Sequence, residues 1–306
     1  MKTPPIPTHV VALGATVVLW ASAFPAIRVG LPGLGVAGLS VWRLVVASIA
    51  LAAMAPVFKV RLPKRQDLPL IALAGVAGMS AYQLLLNWGE VHVSAGTASL
   101  LVAIAPVFSV LLSVAFLRTG LTWSTIVGSA IALTGAAVIA LTGSTAHLSL
   151  GAMVVLAAAF VQGAYHVAIK PLLSRYTGFE VACYAMWSGT VFLLPLLPDA
   201  IGRLADAPQS AILAAIYLGL LPSAVGFVTW SYAVARLPVA QSTAALYLVP
   251  PVALIVALVW LGERPQPIEL IGGAIGIAGV VVINRWRHTG EVAAPIASID
   301  RTEVAT

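Results

Sequence analysis

Several polar and aromatic side chains lie in the middle of long apolar stretches of this sequence. Polar groups in such surroundings are costly unless they face a cavity or a partner on a neighbouring segment. Aromatic rings offer a flat apolar contact and attract an ammonium group, and amides and hydroxyls can hydrogen-bond a zwitterion. We therefore predict a binding site made of Trp20, Tyr82, Gln83, Asn87, Ser99, Gln162, Tyr165, His166, Trp230, Thr243 and Tyr247. For any one of them, packing between helices is an equally good interpretation.

His166 is the histidine deepest in an apolar stretch, and two interpretations stay open for it. It is either a neutral imidazole hydrogen-bonded between helices, or a group that contacts a substrate or relays protons. Asp and Glu residues all fall at the ends of the apolar stretches or between them. Because buried carboxylates are the usual proton and cation sites of ion-coupled pumps, coupling here would have to use His166 or Glu90.

Two arginines, Arg28 and Arg43, also fall inside apolar stretches. A long basic side chain near the end of a span extends to the lipid headgroups, and this is the first interpretation for both. The alternative is that one of them attracts an anionic group of a substrate.

The composition indicates that the helices that position these side chains are those of a membrane protein. Hydrophobic residues make up 60% of the 306 residues and charged residues only 8%, against about 25% charged residues in a soluble domain. This excludes a soluble enzyme, a nucleic-acid-binding protein and a disordered chain. The single cysteine, Cys183, excludes an intrachain disulfide and a thiol metal cluster.

The apolar stretches predict an all-α integral membrane protein with ten transmembrane helices. A helical span takes about 20 residues, and the stretches do not alternate as barrel strands would. If the amino terminus is cytoplasmic, twelve Lys and Arg residues fall inside and two outside. This asymmetry predicts cytoplasmic termini. The predicted spans are residues 9–30, 37–58, 69–89, 94–117, 122–142, 148–169, 180–198, 210–234, 238–261 and 267–286.

The chain repeats itself with a shift of 144 residues, which places 94–139 over 238–283 without a gap. We therefore predict two five-helix halves, residues 1–145 and 146–288, and a disordered cytoplasmic tail at 289–306. Because each half has an odd number of spans, the second half begins on the opposite side of the membrane and is inverted relative to the first. Inverted repeats with a site between them are a transporter architecture. Pro106 matches Pro250, and we predict hinges at Pro106, Pro250 and Pro251. The glycines of spans 5 and 10 predict packing faces that could also form a dimer interface.

Several segments of the two halves carry a resemblance to a known family. They are Leu19-Trp20-Ala21-Ser22-Ala23-Phe24, Trp42-Arg43-Leu44, Ser94-Ala95-Gly96-Thr97-Ala98-Ser99, Ala105-Pro106-Val107, Pro238-Val239-Ala240-Gln241-Ser242-Thr243, Val249-Pro250-Pro251 and Leu261-Gly262-Glu263-Arg264. These segments resemble the drug/metabolite transporter superfamily, with two EamA-type halves, and within it the aromatic amino-acid exporters of the YddG type. The resemblance implies a ten-helix fold, residence in the inner membrane and a central cavity lined by spans 1, 3, 4, 6, 8 and 9.

The expected function is export of small neutral metabolites, with aromatic or hydrophobic amino acids first, by alternating access and as a facilitator. The alternative is a proton-coupled exporter of drugs or methyl-ammonium compounds. An integral-membrane enzyme would need convergent His, Asp and Glu residues at one membrane face, and the sequence offers none. We expect no cofactor, metal or nucleic acid, the bilayer and a small molecule as partners, and a monomer or weak homodimer.

Overall fold

The computed structural model describes residues 7–117, 123–140, 149–236 and 245–291, and within these ranges the chain is almost entirely helical. Six helical segments are long and apolar enough to cross a membrane, and three further apolar helices are shorter. The helices are α1 (Thr8–Met54), α2 (Arg65–His92), α3 (Ala95–Val102), α4 (Ala105–Leu117), α5 (Trp123–Ala140), α6 (Leu150–Leu173), α7 (Gly178–Ala205), α8 (Gln209–Val234), α9 (Leu246–Leu261) and α10 (Pro267–Glu291).

Helix α1 contains the first two predicted spans. At 47 residues it would be about 70 Å long if straight, more than twice the roughly 30 Å hydrocarbon core of a bilayer. The chain turns at Gly35, whose φ of 64° and ψ of 179° interrupt the helix. That φ is open to glycine because it has no Cβ. Pro25 and Pro32, by contrast, lie within helical backbone.

The 144-residue repeat appears in the geometry of the backbone. A π-helical segment interrupts α2 at Gly75–Ala81, and another interrupts α8 at Gly219–Val225, 144 positions later. Helix α4 begins at Ala105 after a break, and the α-helical part of α9, Val249–Leu261, begins 144 positions later. Both halves therefore place a π-helical widening and a helix restart at corresponding positions, and such widenings are frequent at functional sites.

The glycine faces of the fifth and tenth predicted spans pack against each other within one chain. A Cβ at Gly135 would lie 2.4 Å from the Gly276 nitrogen, and a Cβ at Gly279 would lie 2.4 Å from the Ala132 nitrogen. Only glycine permits this backbone approach. These residues form the contact between α5 and α10.

The last described helix extends into the segment that was predicted to be a disordered tail. Helix α10 runs to Glu291, so Thr289, Gly290 and Glu291 are helical although the sequence assigned them to the tail. The rest of the predicted tail lies outside the described residues, as do residues 237–244, which include the start of the ninth predicted span.

Candidate functional site

A cavity lies where α1, α2, α3, α4, α6, α8 and α9 converge. Its volume is about 60 Å³, well below the roughly 150 Å³ that holds a benzene molecule. In this conformation it has room for a few waters, and a larger molecule requires the surrounding helices to separate. The lining residues are Trp20, Ala23, Phe24, Arg43, Tyr82, Leu86, Ser99, Val102, Ala103, Ala105, Pro106, Gln162, His166, Phe227, Leu246, Val249 and Pro250.

Trp20, Phe227 and His166 form an aromatic wall of the cavity, and Trp230 packs against two of them without lining the cavity. The Trp20 ring centroid lies 5.1 Å from that of Phe227 and 5.4 Å from that of Trp230, and Trp230 in turn lies 5.3 Å from His166. Trp20 Nε1 donates a hydrogen bond to the Pro222 carbonyl at 3.1 Å, in the π-helical part of α8. This bond fixes the indole against the wall, and Gly226 leaves the space that the indole fills.

His166 is hydrogen-bonded between helices and also lines the cavity, so its position is compatible with both interpretations. Its Nδ1 lies 3.1 Å from Ser109 Oγ on α4. Ser109 Oγ donates its single hydrogen to the Ala105 carbonyl at 3.0 Å, so the hydroxyl must accept a hydrogen from His166 Nδ1. Nε2 is then an unprotonated acceptor, and it is buried without a partner among the described residues, as is Gln162 Oε1 one turn earlier.

Arg43 is buried in the cavity wall, with only 3% of its surface exposed. The expectation that it extends to the headgroups is therefore wrong. Its Nε donates to Ser223 Oγ at 2.7 Å and its Nη1 donates to Gln83 Oε1 at 2.8 Å. Ser223 belongs to the π-helical segment of α8, and Gln83 follows that of α2. Arg43 thus connects the corresponding irregular segments of the two halves.

The other predicted site residues divide into two groups. Trp20, Tyr82, Ser99, Gln162 and His166 line the cavity, whereas Gln83, Asn87, Tyr165, Trp230 and Tyr247 are buried behind its surface. Thr243 lies outside the described residues.

The residues behind the cavity surface contact its supporting helices. Asn87 Nδ2 donates to Ser40 Oγ at 2.8 Å, and this bond ties α2 to α1. Gln83 accepts from Arg43. Of the three predicted site residues on α2, Tyr82, Gln83 and Asn87, only Tyr82 lines the cavity.

The predicted hinge prolines occupy different environments. Pro106 and Pro250 both line the cavity and stand at the second position of a restarting helix, where the missing N–H costs nothing. Pro251 is exposed on the outer surface of α9.

A cluster of charged residues closes one end of the helices beside the cavity. Arg28 Nε lies 3.3 Å from Glu263 Oε1, and Arg28 Nη1 donates to the Glu90 carbonyl at 2.6 Å. Glu263 Oε2 also accepts from the Ala95 nitrogen at 3.0 Å. Glu90 falls near the end of α2, as predicted, but its side chain is fully buried and neither carboxyl oxygen has a hydrogen-bond partner among the described residues.

A second cluster joins the two halves at the opposite end of α2. Arg61 holds Glu180 through two hydrogen bonds, from Nε at 2.7 Å and from Nη2 at 2.8 Å. The hydrogen bond to Glu180 raises the pKa of Arg61 above its ordinary value. Asp67 accepts from Arg175 and from the Tyr176 hydroxyl. Asp67 and Glu90 are 23 residues apart on α2, so the clusters lie about 35 Å apart, with the cavity between them.

Several cavity-lining residues were not predicted from the sequence. Phe24, Leu86, Phe227, Leu246 and Val249 are apolar residues in apolar helices, and nothing in their type distinguishes them from residues that face lipid. For Arg43 a signal existed, because charge inside a span is rare. In the described part of the chain, no group of three His, Cys, Asp or Glu residues is close enough to hold a metal ion.

Comparison with known proteins agrees with the repeat and with the fold. A sequence model of the EamA-like transporter family matches residues 8–141 and matches again at residues 149–285. A solved crystal structure, 17% identical, superposes with a TM-score of 0.63 over 96% of this chain and 99% of its own chain. At this identity the superposition supports the fold alone.

Two curated relatives cover nearly the whole chain. A protein of Streptantibioticus cattleyicolor named "Probable terminal-alkyne amino-acid exporter" is 68% identical over 90% of this chain and 92% of its own length. A protein of Escherichia coli named "Probable amino-acid metabolite efflux pump" is 28% identical over 90% of this chain and 95% of its own length. With both halves matched by the family and with several helices able to cross a membrane, this chain is a multi-pass membrane protein that belongs to the EamA-like transporter family.

Proposed function

We propose that this transporter exports amino acids with apolar side chains, including amino acids that end in a terminal alkyne. The observation that carries the proposal is the central cavity, which lies between corresponding irregular helices of the two halves and combines an aromatic wall with polar groups. The aromatic wall suits an apolar side chain. The names of the relatives support an amino acid as the substrate.

The proposed mechanism is alternating access by two inverted halves that together form ten spans. Gly35 divides α1 into two passes, and α3 with α4 forms a broken pass whose second part, α4, corresponds to Val249–Leu261 of α9. The halves rock about the cavity, with Pro106 and Pro250 at the helix restarts where the backbone bends. The Arg28–Glu263 cluster closes the outer end and the Arg61–Glu180 cluster the cytoplasmic end. The termini are cytoplasmic, and the protein resides in the inner membrane.

We propose facilitated export without ion coupling, in which the substrate leaves the cell down its own concentration gradient. A specific observation supports a second candidate, proton-coupled export. Glu90 has a buried carboxyl group with no hydrogen-bond partner in the described part of the chain, and His166 Nε2 has none either. Export of cationic drugs is disfavoured because the buried guanidinium of Arg43 lines the cavity and repels a cation.

The experiment is efflux from proteoliposomes that contain the purified protein. Vesicles are loaded with a terminal-alkyne amino acid such as propargylglycine, or with phenylalanine or tryptophan, and efflux is followed with and without a pH gradient. The alkyne allows detection by azide coupling. The proposal predicts saturable efflux that does not depend on the pH gradient. Efflux only with a proton gradient would establish the second candidate, and no efflux of any amino acid would contradict both.

A further inference from the structure

The residues that line the cavity include a positively charged hydrogen-bond donor, Arg43, and two side chains with buried, unpaired acceptor atoms, Gln162 and His166. Arg43 supplies the donor. Its Nε and Nη1 are held by Ser223 and Gln83, and its Nη2 makes none of the hydrogen bonds found among the described residues. Neither held partner is charged, so the positive charge of the guanidinium is not neutralised by them. A buried cation favours an anionic partner, and a carboxylate matches the planar guanidinium geometrically.

The acceptors lie on α6. Gln162 and His166 are four residues apart and so share one face of the helix. Gln162 Oε1 and His166 Nε2 are both buried without a partner in the described part of the chain, and both residues line the cavity. The hydrogen bond from His166 Nδ1 to Ser109 leaves Nε2 as an acceptor. A buried acceptor without a donor is destabilising, so these two atoms are complementary to a ligand that carries N–H groups.

We infer that the cavity recognises its substrate as a zwitterion, with the α-carboxylate bound by Arg43 and the α-ammonium bound by Gln162 Oε1 and His166 Nε2. This inference rests on the proposed function and adds the chemical groups that define the substrate class. An amine without a carboxylate leaves Arg43 without an anion. An α-hydroxy acid leaves one of the two acceptors on α6 unpaired. Selectivity for amino acids then follows from two separate parts of one cavity.

The inference is tested by comparing three inhibitors of propargylglycine efflux in proteoliposomes: an amino acid, its amide and the corresponding α-hydroxy acid. A charged hydrogen bond contributes enough that the wild-type protein should bind the amide and the hydroxy acid at least about tenfold more weakly. Arg43→Gln should lose the preference for acid over amide and keep the preference for the amino acid over the hydroxy acid. The double variant Gln162→Leu with His166→Phe should show the opposite pattern.

Two further variants keep the test informative. Arg43→Lys retains the positive charge, so it should retain part of the preference for acid over amide even if Arg43→Gln is poorly folded. Arg203→Gln removes an arginine from an exposed surface pair with Asp199 and should leave both preferences unchanged. An amide that binds wild type as well as the acid, or an Arg43→Gln protein that still prefers the acid, would overturn the inference while the proposed function stands. Absence of efflux in wild type would instead overturn the proposed function.

Discussion

Arg43 Nη1 lies 2.8 Å from Gln83 Oε1, and this hydrogen bond joins α1 to α2 two residues after the π-helical segment of α2 ends at Ala81. On its other side Arg43 reaches Ser223 in the corresponding π-helical segment of α8. One side chain therefore lines the cavity and connects the two segments that distinguish these helices from regular ones. Changes at Gln83 should affect both stability and substrate recognition.

The first prediction concerns the charge beside Arg43. Gln83→Glu retains the acceptor and adds a negative charge, so the new carboxylate should pair with Arg43 and compete with the substrate carboxylate. We expect an amino acid to bind at least about tenfold more weakly, with the melting temperature unchanged or raised.

Gln83→Leu leaves Arg43 Nη1 unpaired and should destabilise the protein by about 1–3 kcal/mol. Thermal unfolding in detergent and inhibition constants measure the two effects, and equal affinities for wild type and Gln83→Glu would contradict the prediction.

The second prediction concerns the support of the aromatic wall by Gly226. A Cβ at this position would lie 2.7 Å from Trp20 Nε1, so Gly226→Ala should displace the indole and break its hydrogen bond to Pro222. Loss of one such bond corresponds to about 1 kcal/mol, or roughly a fivefold weaker apparent affinity in efflux. Gly14→Ala is the matched control in the same pair of helices, because no heavy atom lies within 4 Å of its Cβ. An unaltered affinity in Gly226→Ala would argue against Trp20 as part of the site.

The helical stretches can be predicted from the sequence because a helix that crosses the apolar core of a bilayer requires a long apolar run, and charged residues mark the ends of that run. Each of the ten predicted stretches overlaps a helix of the structure. The gap predicted between the first two spans, residues 31–36, contains Gly35, the residue at which the chain turns. Pro25 and Pro32 lie within helical backbone, as membrane helices tolerate when neighbouring groups satisfy the backbone atoms that a proline leaves free.

The site was harder to predict because its contacts join residues far apart in sequence. Arg43 meets Gln83 and Ser223 across 40 and 180 residues, and helical periodicity carries no information at that range. Glu90 was predicted at the end of a span, correctly, but the burial of its carboxyl depends on helices that pack over it. Trp20, Gln162 and His166 could be predicted from residue type alone, because side chains with polar groups are rare in the middle of a membrane span.

The third prediction uses Cys183, the only cysteine of the chain, as a reporter of the cluster that joins the two halves at Glu180. Cys183 is fully buried one turn after Glu180, which accepts two hydrogen bonds from the Arg61 side chain and completes the cap of α7 with Thr177. Glu180→Ala should open this end of α7 and raise the rate of maleimide labelling at least about tenfold, since a group inside the fold reacts only when it opens. Asp199→Ala, in an exposed pair, should leave the slow wild-type rate unchanged.

If Cys183 in Glu180→Ala reacts as slowly as in wild type, the Arg61–Glu180 pair does not hold this end closed. Melting temperatures of both variants separate local opening from global unfolding, because a local change raises labelling without a comparable loss of thermal stability.

The fourth prediction concerns Glu90 and ion coupling. Its carboxyl oxygens make no hydrogen bond among the described residues, and Glu90→Gln replaces the group with a neutral amide of nearly the same shape. For a facilitator, efflux by Glu90→Gln should match wild type, and both should be indifferent to an imposed pH gradient. The measurement is uptake against a concentration gradient at two external pH values. Proton-driven accumulation by wild type that disappears in Glu90→Gln would establish proton coupling through this carboxyl group.

The central claim is that amino acids cross the membrane through the cavity, and counterflow in proteoliposomes tests it most directly because exchange needs no ion gradient. Vesicles preloaded with unlabelled propargylglycine should transiently accumulate the labelled amino acid with the wild-type protein. Ala103→Phe fills the cavity and should abolish this accumulation, whereas Val18→Phe, on the exposed surface of α1, should retain it. Equal counterflow by Ala103→Phe and wild type, or no counterflow of any amino acid by folded wild-type protein, would contradict the claim.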